Sequence, residues 1–267
     1  MDNILYLECL SGISGDMFVA AMLDLGADEK VLEKALSSLP LQGFSTEITR
    51  VKKSGIEACD FAVILEEQDN HDHDMEYLYG KAKTQEHCHN HKGVQRNLSE
   101  ICQILENSDL SKGAKKTAVK IFEILAQAES KVHGLPIEQV HFHEVGAVDS
   151  IVDIAAAAVC LDDLGIKRVA VPFLNEGTGC VRCQHGVLPI PVPAVAAIIS
   201  QYQIPLRIME SEGEYVTPTG AAIVAAIATD YQLPQQFTIQ KIGIGAGKRT
   251  YERAGVLRTM LIQPEKQ

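Results

Sequence analysis

The chain has 267 residues and carries 24 Lys and Arg against 35 Asp and Glu, a formal net charge of −11 with its nine histidines counted neutral. With 46% hydrophobic and 22% charged residues it has the apolar material for a substantial core, which excludes a chain disordered throughout. The acidic balance argues against wrapping nucleic acid or lying on an anionic membrane, although a nest of backbone N–H groups can still hold a small phosphate.

The seven cysteines are odd in number and scattered, and no basic segment followed by an apolar one opens the chain. The expectation is a cytoplasmic protein with free thiols rather than a disulfide framework. The longest apolar stretches, residues 154–161 and 221–228, fall far short of the ~20 residues that a membrane-spanning helix needs.

In chain order, residues 4–10 read as a buried strand running straight into Ser11-Gly12-Ile13-Ser14-Gly15-Asp16. A helix should follow, N-capped by Ser14, with Met17, Phe18, Ala21 and Leu25 on one face. A second helix is predicted from Asp28, and residues 44–51 and 56–65 flank Lys53-Ser54-Gly55 as an antiparallel hairpin. Residues 67–92 then lose almost all apolar periodicity and read as a His-rich exposed loop or insertion. Two amphipathic helices follow, the second closed by Gly134 and Pro136. Residues 141–145 are extended, 147–164 form a buried alanine-rich helix, and 168–193 are strands and turns. A short helix at 194–200, another after Thr219, and strands near 237–244 and 256–262 complete the chain. Helices alternate with strands while hairpins persist, so the expected fold is α/β (α+β), one domain over 1–267 built on a mixed sheet with flanking helices.

Several constellations have chemical meaning. The loop holds His71, His73, His87, Cys88, His89 and His91, and in extended backbone each His-x-His pair points to one side, where it can chelate a borderline divalent ion. The plainer alternative is a solvated polar loop that binds metal adventitiously. In His141-Phe142-His143-Glu144 the two histidines share a face and Phe142 faces into packing. The chain then turns into a helix carrying Asp149 and Asp153 four residues apart on one face. Two imidazoles and up to three carboxylates would converge there, to ligate a metal or supply a general base. Asp153, set among Ile151, Val152, Ile154 and Ala155, would be costly to bury without a partner.

Three segments read as anion cradles at helix starts or glycine turns. They are Ser11, Gly12, Ser14, Gly15 and Asp16; then Thr217, Thr219 and Gly220; then the run 243–249 with Gly245, Gly247 and Arg249. The first lacks the lysine of a Walker loop and is not an NTPase motif, and together the three suggest a phosphorylated small ligand or nucleotide. Cys180 and Cys183 have C-x₂-C spacing without the second pair that a structural zinc site needs. Cys180 reads as packing, and Cys183 and His185 stay open as functional groups on a rigid turn.

Taken in order, residues 9–17, the His-rich stretch, 141–153, 183–189, 216–222 and 243–249 resemble one family closely. It is the nickel-insertion protein (nickel chelatase, cyclometallase) family of nickel-pincer cofactor biosynthesis, which serves lactate racemase. The resemblance implies insertion of Ni²⁺ into pyridinium-3,5-bisthiocarboxylic acid mononucleotide, coupled to CTP hydrolysis with a divalent cation. His141, His143 and Glu144 would then serve metal or base, with Asp149 and Asp153 in support. The anion cradles would hold the mononucleotide's phosphate, and the loop histidines would collect nickel. Full-length relatives continue into a C-terminal region associated with CTP, so that segment is an expected partner, with lactate racemase apoenzyme downstream. A nickel-storage or metallochaperone protein without catalysis is the alternative, and the oligomeric state stays open.

Overall fold

The structure, a computed structural model, describes residues 3–66, 75–80, 96–142, 147–183 and 185–265. Its elements in chain order are β1 (Ile4–Glu8), α1 (Gly15–Leu25), α2 (Glu29–Ser37), β2 (Phe44–Lys53), β3 (Ile56–Leu65), α3 (Met75–Tyr79), β4 (Arg96–Asn97), α4 (Leu98–Glu106) and α5 (Lys112–His133). After a 3₁₀ turn at Ile137–Gln139 come β5 (His141–Phe142), α6 (Val148–Asp163), β6 (Val169–Ala170), β7 (Leu174–Thr178), β8 (Cys180–Cys183) and β9 (Gly186–Pro189). The rest are α7 (Pro193–Tyr202), β10 (Leu206–Glu212), α8 (Pro218–Ile227), β11 (Phe237–Ala246) and β12 (Val256–Pro264).

The main sheet has the order β2-β3-β11-β12-β1-β6. It is mixed, as expected: β2–β3, β11–β12 and β1–β12 run antiparallel, whereas β3–β11 and β1–β6 run parallel. The β2–β3 hairpin turns on Ser54 and Gly55, both at positive φ (50° and 82°), the conformation that matches the twist of the strands it joins. Short ladders β7–β10, β4–β5 and β8–β9 stand apart from this sheet.

Helix α1 lies directly on β3, β11 and β12 and is itself covered by α6. It is buried almost all round, so its sequence shows little amphipathic contrast. Helix α5 packs on α6, α7 and α8, and its apolar stripe of Ala114, Ala118, Ile121, Phe122 and Leu125 closes the helical layer. Caps act at both ends of the neighbouring elements. Asn97 and Glu100 form a reciprocal capping box on α4, Ser111 caps Ala114 N–H, and Gly134 ends α5 in the left-handed conformation.

One contact sets the distance between helix and sheet. A Cβ on Gly245 would lie 2.1 Å from the Met17 carbonyl oxygen and 2.5 Å from the Ala21 amide nitrogen. The run from Gly243 to Ala246, expected as a flexible cradle, is therefore strand, and its glycines let α1 approach β11 closely. Gly245→Ala is expected to lower the chemical-denaturation stability by roughly 1–3 kcal/mol through overpacking, with secondary structure by circular dichroism retained.

Candidate functional site

The site begins where β1 ends. Cys9 bridges Leu174, and the chain then turns at Gly12, whose φ is +77° and whose Cβ, were there one, would lie 2.0 Å from the Tyr215 carbonyl oxygen. Only glycine satisfies both conditions. Ile13 next forms an isolated parallel bridge with Val216: Ile13 N–H donates to Tyr215 O at 2.9 Å, and Thr217 N–H donates to Ile13 O at 3.1 Å. Helices α1 and α8 start just beyond this bridge, so their N-termini lie side by side. The first turns of both leave backbone N–H groups without intrahelical partners. Thr217 accepts from Gly220 N–H at 3.1 Å as the α8 cap. Ser14 holds the N-cap position of α1 with extended backbone, but its hydroxyl donates to Asp16 Oδ1 instead of capping. Two of the cradles read separately in the sequence are thus one place.

Helix α6 supplies the third side. A Cβ on Gly15 would be 2.9 Å from Asp153 Oδ2 and 3.1 Å from Thr219 Cγ2, which puts the Asp153 carboxyl between the starts of α1 and α8. Burial, then the charges of Asp16 and Asp149, push the Asp153 carboxyl well above the ordinary carboxylate range, with Lys248 opposing them. Asp16 Oδ2 is buried with no hydrogen-bond partner among the described residues. Lys248, which tempers this cluster, is ion-paired with Asp60 at 2.5 Å. Among the described residues no three His, Cys, Asp or Glu side chains gather as a metal-binding group. Asp153 is thus a deeply buried carboxyl whose affinity for a proton is raised by burial and by like charges beside it.

A second buried carboxylate fixes the bridge. Glu176 on β7 is fully buried, and its Oε1 accepts from Gly177 N–H (2.8 Å), Tyr215 N–H (2.7 Å) and Val216 N–H (3.2 Å). Oε2 is buried without a hydrogen-bond partner among the described residues. Burial raises this carboxyl to about 7 against the lowering effect of the three N–H donors, with Glu214 adding to the rise. Glu214 itself pairs with the half-buried Arg249. Tyr251 donates its hydroxyl to Glu214 O at 2.7 Å, Glu214 N–H donates to Tyr79 Oη at 3.0 Å, and the two tyrosine hydroxyls meet at 2.9 Å. Helix α3 is therefore tied to the 214–216 segment, although the surrounding sequence reads as loop; Leu78 is buried, and the helix packs against β8.

A family described as "Nickel insertion protein" matches residues 5–267. A protein of Alkaliphilus metalliredigens is 53% identical over 263 residues, 98% of this chain and 61% of that relative. Another from Acetivibrio thermocellus is 40% identical over 259 residues, covering 97% of this chain and 60% of its own length. Both bear the name pyridinium-3,5-bisthiocarboxylic acid mononucleotide nickel insertion protein. The chain belongs to the nickel insertion protein family. It spans about three fifths of the length of the curated relatives it matches. No solved structure matches it.

Within this nickel insertion fold the site residues foreseen from sequence divide into groups. Ser11, Gly12, Ser14, Gly15, Asp16, Thr217, Thr219, Gly220, Asp149 and Asp153 belong to the helix starts just described. Gly245 and Gly247 instead pack against Met17 of α1, and Arg249, half-buried, is ion-paired with Glu214. His141 is exposed on β5 while Phe142 is buried against Phe122, the alternation expected of extended chain. His71, His73, His87, Cys88, His89, His91, His143 and Glu144 lie outside the described residues. Cys180 is exposed, against the packing role expected of it, and Cys183 is half-buried. Pattern reading missed Glu176, the Tyr79–Tyr251–Glu214 network and a pairing of His133 with His185. Burial, then His133, keeps the His185 imidazole below its ordinary value.

Glu176 gives a measurable pH signature. Its folded value of about 7 lies above the 4.5 of an ordinary glutamate, so the folded state binds the extra proton between the two. Stability from this group is complete below about pH 4.5 and is lost as pH rises through about 7. Glu176→Gln keeps an acceptor oxygen and has no charge to bury. Urea denaturation at pH 5 and pH 8 should show the parent losing up to about 3 kcal/mol more than the variant across that interval.

Proposed function

We propose that this chain takes part in inserting nickel into pyridinium-3,5-bisthiocarboxylic acid mononucleotide, and that the helix starts around Asp153 are where the proton chemistry of that reaction is handled. The observation that carries the reading is the 53% identity, over 98% of this chain, to a relative named for that reaction. Nickel is the substrate here, together with the mononucleotide. Insertion makes two Ni–S bonds and one Ni–C bond, and the hydrogen on ring C4 departs as a proton when its carbon takes the metal. A base beside the reacting ring is therefore required.

His141, His143 or Glu144 would take that proton or hold the metal, and the carboxylates of Asp149 and Asp153 would receive the proton in turn. A carboxyl whose proton affinity is raised by burial and by like charges suits that relay. The first-turn N–H groups of α1 and α8 would face the mononucleotide's phosphate. The His-rich stretch, with His71, His73, His87, Cys88, His89 and His91, would concentrate nickel. The use of CTP is assigned, on the family resemblance, to the part of the relatives' length that this chain does not span. Lactate racemase apoenzyme would receive the finished cofactor.

The test is an insertion assay with the chain, Ni²⁺ and the thiocarboxylated mononucleotide, with and without CTP and the remaining portion of a full-length relative. Nickelated product is expected in the complete mixture, and its absence from every mixture would leave the storage or metallochaperone reading. Asp153→Asn should lower the insertion rate by roughly 10²-fold or more, the worth of a positioned acid or base. Its thermal midpoint should not fall, because the substitution removes a repelled charge from a buried place.

A further inference from the structure

We infer that Lys248 is the side chain that recognises the substrate's phosphate, and that it waits on Asp60 beside the start of α1. The identity of the ligand rests on the function proposed above, whereas the placing of the lysine rests on geometry. Residue 248 follows the end of β11. Just before it, Gly247 N–H donates to Gly255 O at 2.9 Å, and a Cβ on Gly247 would lie 2.9 Å from Met17 Sδ. The chain is thereby held against the first turn of α1. From there Lys248 reaches β3, where its Nζ donates to Asp60 Oδ2 at 2.5 Å. Both side chains of this pair are largely shielded, 19% and 17% exposed. Arg249, the next cation along the chain, goes to Glu214 instead.

Three observations make this ammonium a ligand group and not only a link between β3 and the end of β11. First, the start of α1 lacks a side-chain cap, because the Ser14 hydroxyl is turned to Asp16, and uncapped first-turn N–H groups attract an anion. Second, the acids at this place are unfinished. Asp16 Oδ2 is buried without a hydrogen-bond partner among the described residues, and the influences on Asp153 are burial and neighbouring charges, with no hydrogen bond among them. Asp16, Asp149 and Asp153 would repel an anion that came alone, and Lys248 is the cation that acts against them. Third, an ammonium has three N–H donors and Asp60 Oδ2 takes one, so the lysine can turn a donor to a ligand oxygen while staying in place.

The chemistry of the mononucleotide selects the group. It offers a phosphate and two thiocarboxylates as anions. The thiocarboxylate sulfurs are the donors that nickel needs, which leaves the phosphate for the lysine. Lysine meets phosphate as a point charge, without the fixed geometry of a guanidinium, and this suits a group that is approached from one side by helix N–H donors.

The test is calorimetric titration of the full chain, without nickel, with the thiocarboxylated mononucleotide and with the nucleoside made from it by phosphatase. Lys248→Gln should weaken the mononucleotide tenfold or more, the worth of one hydrogen bond to a charged group, and leave the nucleoside's affinity near the parent's. Lys248→Arg should recover most of the loss, because a guanidinium also binds phosphate. Asp60→Asn, which releases the lysine, should bind the mononucleotide at least as tightly as the parent does. An ion pair that serves only the fold predicts the opposite: Lys248→Gln and Asp60→Asn behave alike and weaken both ligands together. That result overturns the inference, as does a parent that binds the two ligands equally well or not at all. Discrimination that depends on Lys248, with no nickelated product in any insertion mixture, would overturn the proposed function and leave the phosphate contact standing. Product formed by Lys248→Gln with the parent's KM for the mononucleotide would overturn the contact alone.

Discussion

The parallel bridge between Ile13 and Val216 is the contact on which the site depends. Two backbone hydrogen bonds join the approach to α1 with the approach to α8. Every neighbouring specialisation protects that pairing. Gly12 supplies the left-handed turn and leaves room for the Tyr215 carbonyl. Glu176 gathers the Tyr215 and Val216 amides on one oxygen, so that their N–H groups are satisfied on the side away from Ile13. A bridge of two hydrogen bonds is worth little by itself. It persists because helices α1 and α8, with their buried apolar faces, are fixed on either side of it.

The two buried carboxylates near this bridge do different physical work. Glu176 accepts three backbone donors, an arrangement that would ordinarily favour the charged form, yet desolvation prevails and its proton affinity rises. It acts as a hydrogen-bonding post for the loop. Asp153 is raised by desolvation and by two like charges, Asp16 on α1 and Asp149 one turn back on its own helix, with Lys248 opposing them. A charge balance of this kind changes as soon as a ligand adds or removes charge nearby. Asp153 is thus coupled to whatever occupies the helix starts, whereas Glu176 is coupled to the fold.

Much of this architecture was legible from local pattern. Turn chemistry at Ser54-Gly55, the close of α5 at Gly134, and the spacing of Asp149 and Asp153 on α6 all follow from rules that act over a few residues. What failed did so for identifiable reasons. Glycines beside Lys248 and Arg249 resemble a phosphate loop, because the same absence of Cβ that admits a phosphate also admits a helix, and here α1 takes the space. Glu176 lies in Leu-Asn-Glu-Gly-Thr, a segment whose hydrophobicity says nothing about burial. The joining of Ser11–Asp16 with Thr217–Gly220 is a pairing between the two ends of the chain, and no local rule encodes it. Helix α3 escaped because its anchor, Tyr79 on Tyr251, is also remote in sequence.

Seen from the metal, the proposed reading divides the labour by burial. Ligands that gather a cation from solution must be exposed and must release it, because a site that holds nickel in a closed set of donors ends its transfer. The group that accepts a carbon-bound proton has the opposite need: it must be sheltered from water, so that its affinity for the proton is set by neighbouring charges and not by solvent. His141 is exposed on β5, whereas Asp153 lies beneath the starts of α1 and α8. The acidic surplus of the chain is thus not one uniform field. Part of it lies inside, on carboxyls whose affinity for a proton is raised by burial, and those groups are set apart from the charges that face solvent.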